Sequence, residues 1–152
     1  MSLKLTDHGT IVALQVCPGH RKPMISRDVL SFEKDLGIKG DMHALPGSSR
    51  QVLAIEQETL DQFELPIGLI KENITTTGID LMALKRKQRI AVGETVVLEV
   101  VKGCAPCSRM DEIRPGLLRA LEGKRGMLFR VIHGGDVHIG DSILVLIPET
   151  IV

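Results

Sequence analysis

Ile90-Ala91-Val92-Gly93-Glu94 running into Thr95–Val101, and His138-Ile139-Gly140-Asp141 running into Ser142–Ile147, share one local pattern. Each places a glycine and an acid in a turn and follows it with a strongly apolar stretch. A short apolar run bounded by turn residues reads as a β-strand. The two segments therefore read as two strand starts in a β-barrel, and nothing else in the chain repeats. Thr10–Cys17, rich in β-branched residues and closed by Pro18-Gly19, reads as a further strand, as do Gln51–Ile55, Leu69–Ile74 and Met127–Ile132. Glu56–Glu64 has Thr59, Leu60 and Phe63 spaced for one buried helical face, and Pro66 and Gly68 end it. Ile113–Leu121 reads as a second helix, with Pro115 in its first turn and Gly123 past its end. Leu36–Asp41 reads as a turn into an exposed loop, Leu45–Arg50 as a loop, and Thr75-Thr76-Thr77-Gly78 as a loop rich in hydroxyls. Many short strands with a few short helices and no linker imply one mainly-β domain over residues 1–152, a closed or nearly closed barrel. Closure would also remove the exposed edges that such aliphatic strands otherwise present.

Composition bounds the chemistry. The 152 residues include three Phe and neither Trp nor Tyr, so the core is aliphatic and stacked-base platforms are not expected. Nineteen basic residues balance nineteen acidic ones, which gives no general drive toward nucleic acid or a membrane. The basic run Lys85-Arg86-Lys87 reads as a solvated turn. Three cysteines, Cys17, Cys104 and Cys107, are too few and odd in number for a secreted disulfide framework. Met1–His8 carries charges with no apolar segment after them, and no apolar window reaches the length of a spanning helix. A reducing, cytoplasmic setting with free or metal-bound thiols is the expectation.

Cys104-Ala105-Pro106-Cys107 directly follows an apolar strand and admits three readings. A redox dithiol of the thioredoxin type wants a long helix straight after the motif inside a βαβ unit, whereas Arg114-Pro115 interrupts early here. A zinc site could join the two thiolates to His133 and His138, although the gap between the pairs is longer than a zinc finger uses. In the third reading Cys107 is a single reactive thiolate, directed by Pro106, with Lys102 and Arg109 near in sequence. Cys17 reads as a buried, inert cysteine.

Gly40-Asp41-Met42-His43, Lys71-Glu72-Asn73-Ile74 and Pro106-Cys107, in that order, resemble motifs of the MOSC family, a domain also found at the C-terminus of molybdenum cofactor sulfurases. Gly40-Asp41-Met42-His43 is similar to its Gly-Asp-x-His motif, followed by Ser49-Arg50-Gln51-Val52. Lys71-Glu72-Asn73-Ile74 resembles its Arg-Glu-Asn-Ile segment, and Pro106-Cys107 its Pro-Cys. Lys124-Arg125-Gly126 and Ile139-Gly140-Asp141 resemble its closing pattern. Lys71 stands where the family commonly has Arg, which keeps the charge but loses a bidentate fork, and Met42 fills a position that is often Arg.

The resemblance implies a β-barrel that handles the molybdenum cofactor (molybdopterin), or activated sulfur, through Cys107. That residue would be a molybdenum ligand in the reduction of N-hydroxylated substrates, or would carry a persulfide. A non-enzymatic module for storing or delivering the cofactor is the third possibility. The cofactor is a pterin dithiolene with a phosphate and is anionic. Arg50, Lys71 and Arg125 would hold it, with Asn73 on a pterin edge, Thr75 and Thr76 donating to the phosphate, and Gly126 beside them. His43 would move protons. The resemblance also implies an association with pyridoxal phosphate binding, although no pyridoxal-phosphate domain is read before the barrel. Electrons or sulfur would then come from a separate electron donor or cysteine desulfurase, acting on a small-molecule substrate. The reactive sulfur is expected at the barrel mouth.

Overall fold

The fold is that of a computed structural model, which describes residues 8–147. The first seven residues, part of the segment read as lacking a leader, lie outside that range. The chain runs β1 (His8–Val16), β2 (Ile25–Arg27), β3 (Val29–Glu33), β4 (Gly37–Ile38) and β5 (Val52–Glu56), then α1 (Gln57–Gln62) and β6 (Ile74–Thr77). After a 3-10 turn (Leu81–Ala83) come β7 (Arg89–Val92), β8 (Val96–Gly103), α2 (Arg109–Ile113), α3 (Leu117–Ala120), β9 (Met127–His133), β10 (Gly135–His138) and β11 (Ser142–Leu146). Strands pair in the order β11-β7-β8-β9-β5-β6-β1, and β11 returns to pair with β1. The result is a closed barrel of those seven strands, mainly β as the sequence implies. β2 hangs on β1, and β10-β3-β4 form a separate small sheet. Only β5 and β6 run parallel within the barrel.

The two similar turn-and-strand segments meet each other at the barrel seam. β7 and β11 are antiparallel neighbours, with Val92 opposite Ile143. The Gly93 amide donates to Ser142 O at 2.9 Å. Gly93 has φ +65, and a Cβ there would lie 2.6 Å from an Asp141 carboxylate oxygen, so glycine is favoured at this turn.

Period-2 alternation assigns two faces to each barrel strand. Val52 and Ala54 of β5, and Met127, Phe129 and Val131 of β9, belong to the large aliphatic cluster that fills the barrel. Their neighbours Leu53, Ile55 and Leu128 point outward and are also buried. A second core covers this outer wall: Ile55 packs with Leu60 of α1, Met110 of α2, and Leu117 and Leu121 around α3. β5 is therefore buried on both faces, which explains its unbroken apolar reading.

Four local expectations change. The helix expected over Ile113–Leu121 is two helices, because Pro115 forces Arg114 into the extended region (φ −160, ψ 128) and Gly116 adopts φ +88. Residues 69–73 form a turn rather than the strand expected over Leu69–Ile74, whose last residue opens β6, and Thr75–Thr77 continue that strand instead of forming a loop. Within Leu36–Asp41, read as a turn leading into an exposed loop, Gly37-Ile38 is a short strand paired with β3, and Ile38 is buried along with Asp41; the loop that follows is exposed. The basic run Lys85-Arg86-Lys87 is exposed.

Candidate functional site

The site lies against the outer wall of the barrel and not at its mouth. Leu53 and Leu128, cross-strand partners on β5 and β9, form its floor. The Cys104–Cys107 loop leads into α2, which makes one side. The loop after β1, the Met42–Arg50 segment and the turn before β6 make the others. Together they enclose a cavity of about 420 Å3, within the size of ordinary small-molecule pockets, which run from roughly 300 to 1,000 Å3.

Cys107 lines this cavity and is exposed, whereas Cys104 is buried with Leu53 and Leu128. Five cations line it as well: Arg21, Arg50, Lys71, Arg109 and Arg125, against Glu112 as the one acid. Arg21 pairs with Glu112 at 3.5 Å across the rim, an exposed contact worth at most about 1 kcal/mol. A chain with no net charge thus concentrates positive charge around one thiol. Lys102, near Cys107 in sequence, is exposed on β8 and does not line the cavity.

Arg125 is the most unusual of these cations. It is 6% exposed, and one Nη2–H donates to Ile70 O. Its Nε and Nη1 have no partner among the described residues. Burial lowers its pKa, while the Cys104 thiol, Glu72 carboxyl and Cys107 thiol oppose that shift. Glu72 is fully buried and its pKa is raised, mainly by burial, against hydrogen bonds from the Gly68 amide and Thr75 and the field of Arg125. A buried guanidinium with idle donors normally costs free energy.

Asp41 organises the opposite wall. Its Oδ1 accepts from the Cys17 amide at 2.7 Å and from Asn73 Nδ2 at 3.0 Å. Its Oδ2 accepts from the His43 amide at 3.0 Å and lies 3.3 Å from His43 Nδ1. Burial alone would raise this carboxyl. Hydrogen bonds from the His43 ring and from the Cys17 and His43 amides outweigh burial and hold it below its ordinary 3.8. His43 is thus clamped through Nδ1 at the cavity wall, which leaves Nε2 as its free nitrogen.

The expected cofactor-binding residues divide. Arg50, Lys71 and Arg125 line the cavity together. Asn73 lines it too, but its amide is already engaged: Oδ1 accepts from the Leu53 amide, and Nδ2 donates to Gln15 O and Asp41. It braces the wall with both Nδ2 hydrogens and one Oδ1 lone pair. Thr75 and Thr76 sit in β6 at 0% and 1% exposure and do not line the cavity, so they cannot donate to a phosphate there. Gly126 has φ +111, and a Cβ there would lie 2.7 Å from Ala54 O. Its role is close approach of backbone to β5, next to Arg125.

The zinc alternative finds no support in the geometry. His133 sits opposite Val97 at the far end of the β8–β9 ladder from Gly103, and its Nδ1–H donates to Thr95 O at 2.8 Å. Among the described residues no three His, Cys, Asp or Glu side chains gather as a metal cluster. The dithiol reading lacks its long helix, since α2 has five residues.

Sequence reasoning missed Asp41, Glu72 and Cys17 as parts of this site. Cys17 lines the cavity although buried. The available signal was an acid or amide next to apolar strand ends, as in Glu72-Asn73-Ile74.

The MOSC domain model matches residues 39–144, which span all of these features except the loop after β1. The chain belongs to the MOSC domain family. No curated protein matches it at a significant level. Solved structures share its fold. The YUAD protein from Bacillus subtilis is 22% identical with a TM-score of 0.75, over 91% of this chain and 95% of that one. YiiM from Geobacillus stearothermophilus is 18% identical with a TM-score of 0.73, over 91% and 75%. YiiM from Escherichia coli is 18% identical with a TM-score of 0.70, over 94% and 72%. Among the described residues of this MOSC protein, no helix is long and apolar enough to cross a membrane.

Proposed function

We propose that this MOSC protein binds the molybdenum cofactor in the outer-wall cavity, with Cys107 as a thiolate ligand to the metal, and takes part in the reduction of small N-hydroxylated substrates. The observation that carries this reading is the conjunction of an exposed thiol and a buried, partly unpartnered arginine in one basic cavity. The cofactor's chemistry fits those residues. Its phosphate and pterin oxygens are acceptors, and Arg125 has idle donors, with Arg50 and Lys71 beside it. A bare metal ion would need several protein ligands, which are not gathered here. A metal that arrives with dithiolene sulfurs needs only one more, and soft thiolate suits it. When bound, the group would supply the redox centre at which an N–O bond is reduced.

The chain's own residues do the rest. Cys107, exposed on the cavity wall, would supply the thiolate to the metal. His43, oriented by Asp41, can exchange a proton through Nε2 with a substrate in that space. Leu53, Leu128 and Met110 keep the floor dry, which strengthens the charge interactions above it. A separate protein would deliver the electrons.

The test is co-production with an active molybdenum cofactor pathway. Purified protein should carry molybdenum, and it should reduce an amidoxime or an N-hydroxylated purine when given an electron donor. Intact mass showing one extra sulfur on Cys107, with no molybdenum, would instead establish a persulfide carrier. Molybdenum without turnover would mean cofactor storage or delivery.

A further inference from the structure

A second chamber of about 360 Å3 adjoins the cavity. Arg21, Leu69 and Lys71 belong to the walls of both, so the two spaces share a boundary. We propose that this annex is a second ligand site, for an aliphatic monocarboxylate, with the hydrocarbon chain in the annex and the carboxylate on Arg21 and Lys71 at the boundary. The site needs no metal and stands apart from the cofactor reading.

The walls set the class of ligand. Pro23 and Met24 come from the loop after β1, and Pro66, Ile67 and Leu69 from the segment before β6. Ile67 and Leu69 are 45% and 42% exposed, apolar surface that a hydrocarbon chain would cover. Among the described residues no Asp or Glu lines the annex, and its only charges are those of Arg21 and Lys71. A ligand matched to this space is apolar at one end and anionic at the other. A cation is repelled, and a neutral chain leaves the two charges unanswered. A carboxylate offers oxygens to the guanidinium fork and to the ammonium together.

Both cations are open to a ligand. The Arg21 side chain is 59% exposed, and its contact with Glu112 at 3.5 Å engages only Nη1. Lys71 Nζ donates to Lys22 O, which uses one of three ammonium protons and fixes the head group at the boundary. The same bond ties the turn before β6 to the loop after β1, so the two apolar walls keep their spacing without a ligand. Arg21 and Lys71 also hold left-handed backbone, at φ +59 and φ +72. Strain of this kind persists where surrounding structure fixes it, often at ligand clamps. A bound carboxylate answers two of the five cations that surround Cys107, and so lowers the pull of the main cavity on an anionic guest.

Octanoate, 1-octanol and octylammonium make the test, since they share a chain and differ in charge. Methyl-labelled, metal-free protein is titrated with each and followed by NMR. Octanoate should shift the Met24, Ile67 and Leu69 methyls saturably and bind about tenfold tighter than octanol, with octylammonium weakest. Raising salt from about 0.05 M to about 0.5 M should erase most of that preference, because exposed charges are screened. Arg21→Gln, an exposed change, should reduce the preference to about threefold. Ile67→Glu, at an exposed position that folding tolerates, should weaken octanoate about tenfold. Saturating octanoate should also lower the ratio of Cys107 alkylation rates by anionic iodoacetate and neutral iodoacetamide about threefold. An octanoate affinity no higher than that of octanol would overturn the carboxylate assignment. Shifts confined to the Leu53 and Leu128 methyls would overturn the annex, and an unchanged alkylation ratio would overturn the seat at Arg21 and Lys71. Cosedimentation with phosphatidylserine vesicles without saturable octanoate binding would overturn the free acid in favour of a bilayer surface.

Discussion

Replacing Glu72 by Gln and Arg125 by Met in the same molecule should make the cofactor-free protein more stable. Together the two native side chains bury three polar atoms without partners: Glu72 Oε1, Arg125 Nε and Arg125 Nη1. Each such atom costs about 1–3 kcal/mol, and the double variant removes both unpartnered Arg125 donors together with the two buried charges. The double variant loses the Arg125 bond to Ile70 O, worth about 1 kcal/mol. The net expectation is a gain of about 2 kcal/mol, or roughly 4–8 °C in Tm for a chain of this length. Arg125→Met alone should go the other way by about 3 kcal/mol at pH 8, because Glu72 then keeps a buried charge with no counter-charge. The pH dependence follows from direction. The folded pKa of Glu72 lies above its ordinary 4.5, so the folded state holds the proton more tightly. Its penalty is absent below 4.5 and grows as pH rises toward the folded value. The deficit of Arg125→Met should therefore shrink at pH 4.5 and widen above it. Urea unfolding followed by far-UV circular dichroism suits a chain with neither Trp nor Tyr. A double variant less stable than wild type by more than about 1 kcal/mol would refute the reasoning, since a pair that stabilises the empty fold is no prepared binding wall.

Other outcomes follow from single contacts. Asp41→Asn should cost about 2–4 kcal/mol, because the amide cannot serve the Cys17 and His43 amides, Asn73 and the His43 ring together. Since the Asp41 pKa lies below 3.8, its stabilisation is complete above that value and lost as pH falls through the folded pKa. The wild-type advantage over Asp41→Asn should thus vanish at the acid end of a pH series of urea melts. Gly126→Ala should destabilise by about 2 kcal/mol or more through clash with Ala54 O and its φ of +111, measurable as a fall in Tm. Cys107→Ser should stay within about 0.5 kcal/mol of wild type in the empty protein, because the side chain is exposed.

The barrel was legible because its strands carry their own signals. Gly93-Glu94 and Gly140-Asp141 mark strand starts by local backbone demands, and these glycines meet or flank the seam they predict. Cys107 and the cations Arg50, Lys71 and Arg125 were legible through motif resemblance, and they share a cavity. The placement of that cavity was not legible. Outward-facing Leu53 and Leu128 read only as apolar, and nothing local says that helices and loops cover them on the outside of the barrel. Asn73 and Asp41 failed for a related reason. Apart from His43, two residues from Asp41, their partners lie 20 to 58 residues away, so a sequence shows an amide and an acid in a loop but not most of the bonds that occupy them. The hydroxyls of Thr75 and Thr76 were misplaced because a run of β-branched residues fits a strand as readily as a loop.

The most direct measurement is molybdenum X-ray absorption on wild type and Cys107→Ser, each purified after co-production with the cofactor pathway. The account predicts metal in both or in wild type alone, with one fewer sulfur neighbour around any molybdenum retained by the serine variant. Equal metal content with the same sulfur count in the two proteins would contradict it.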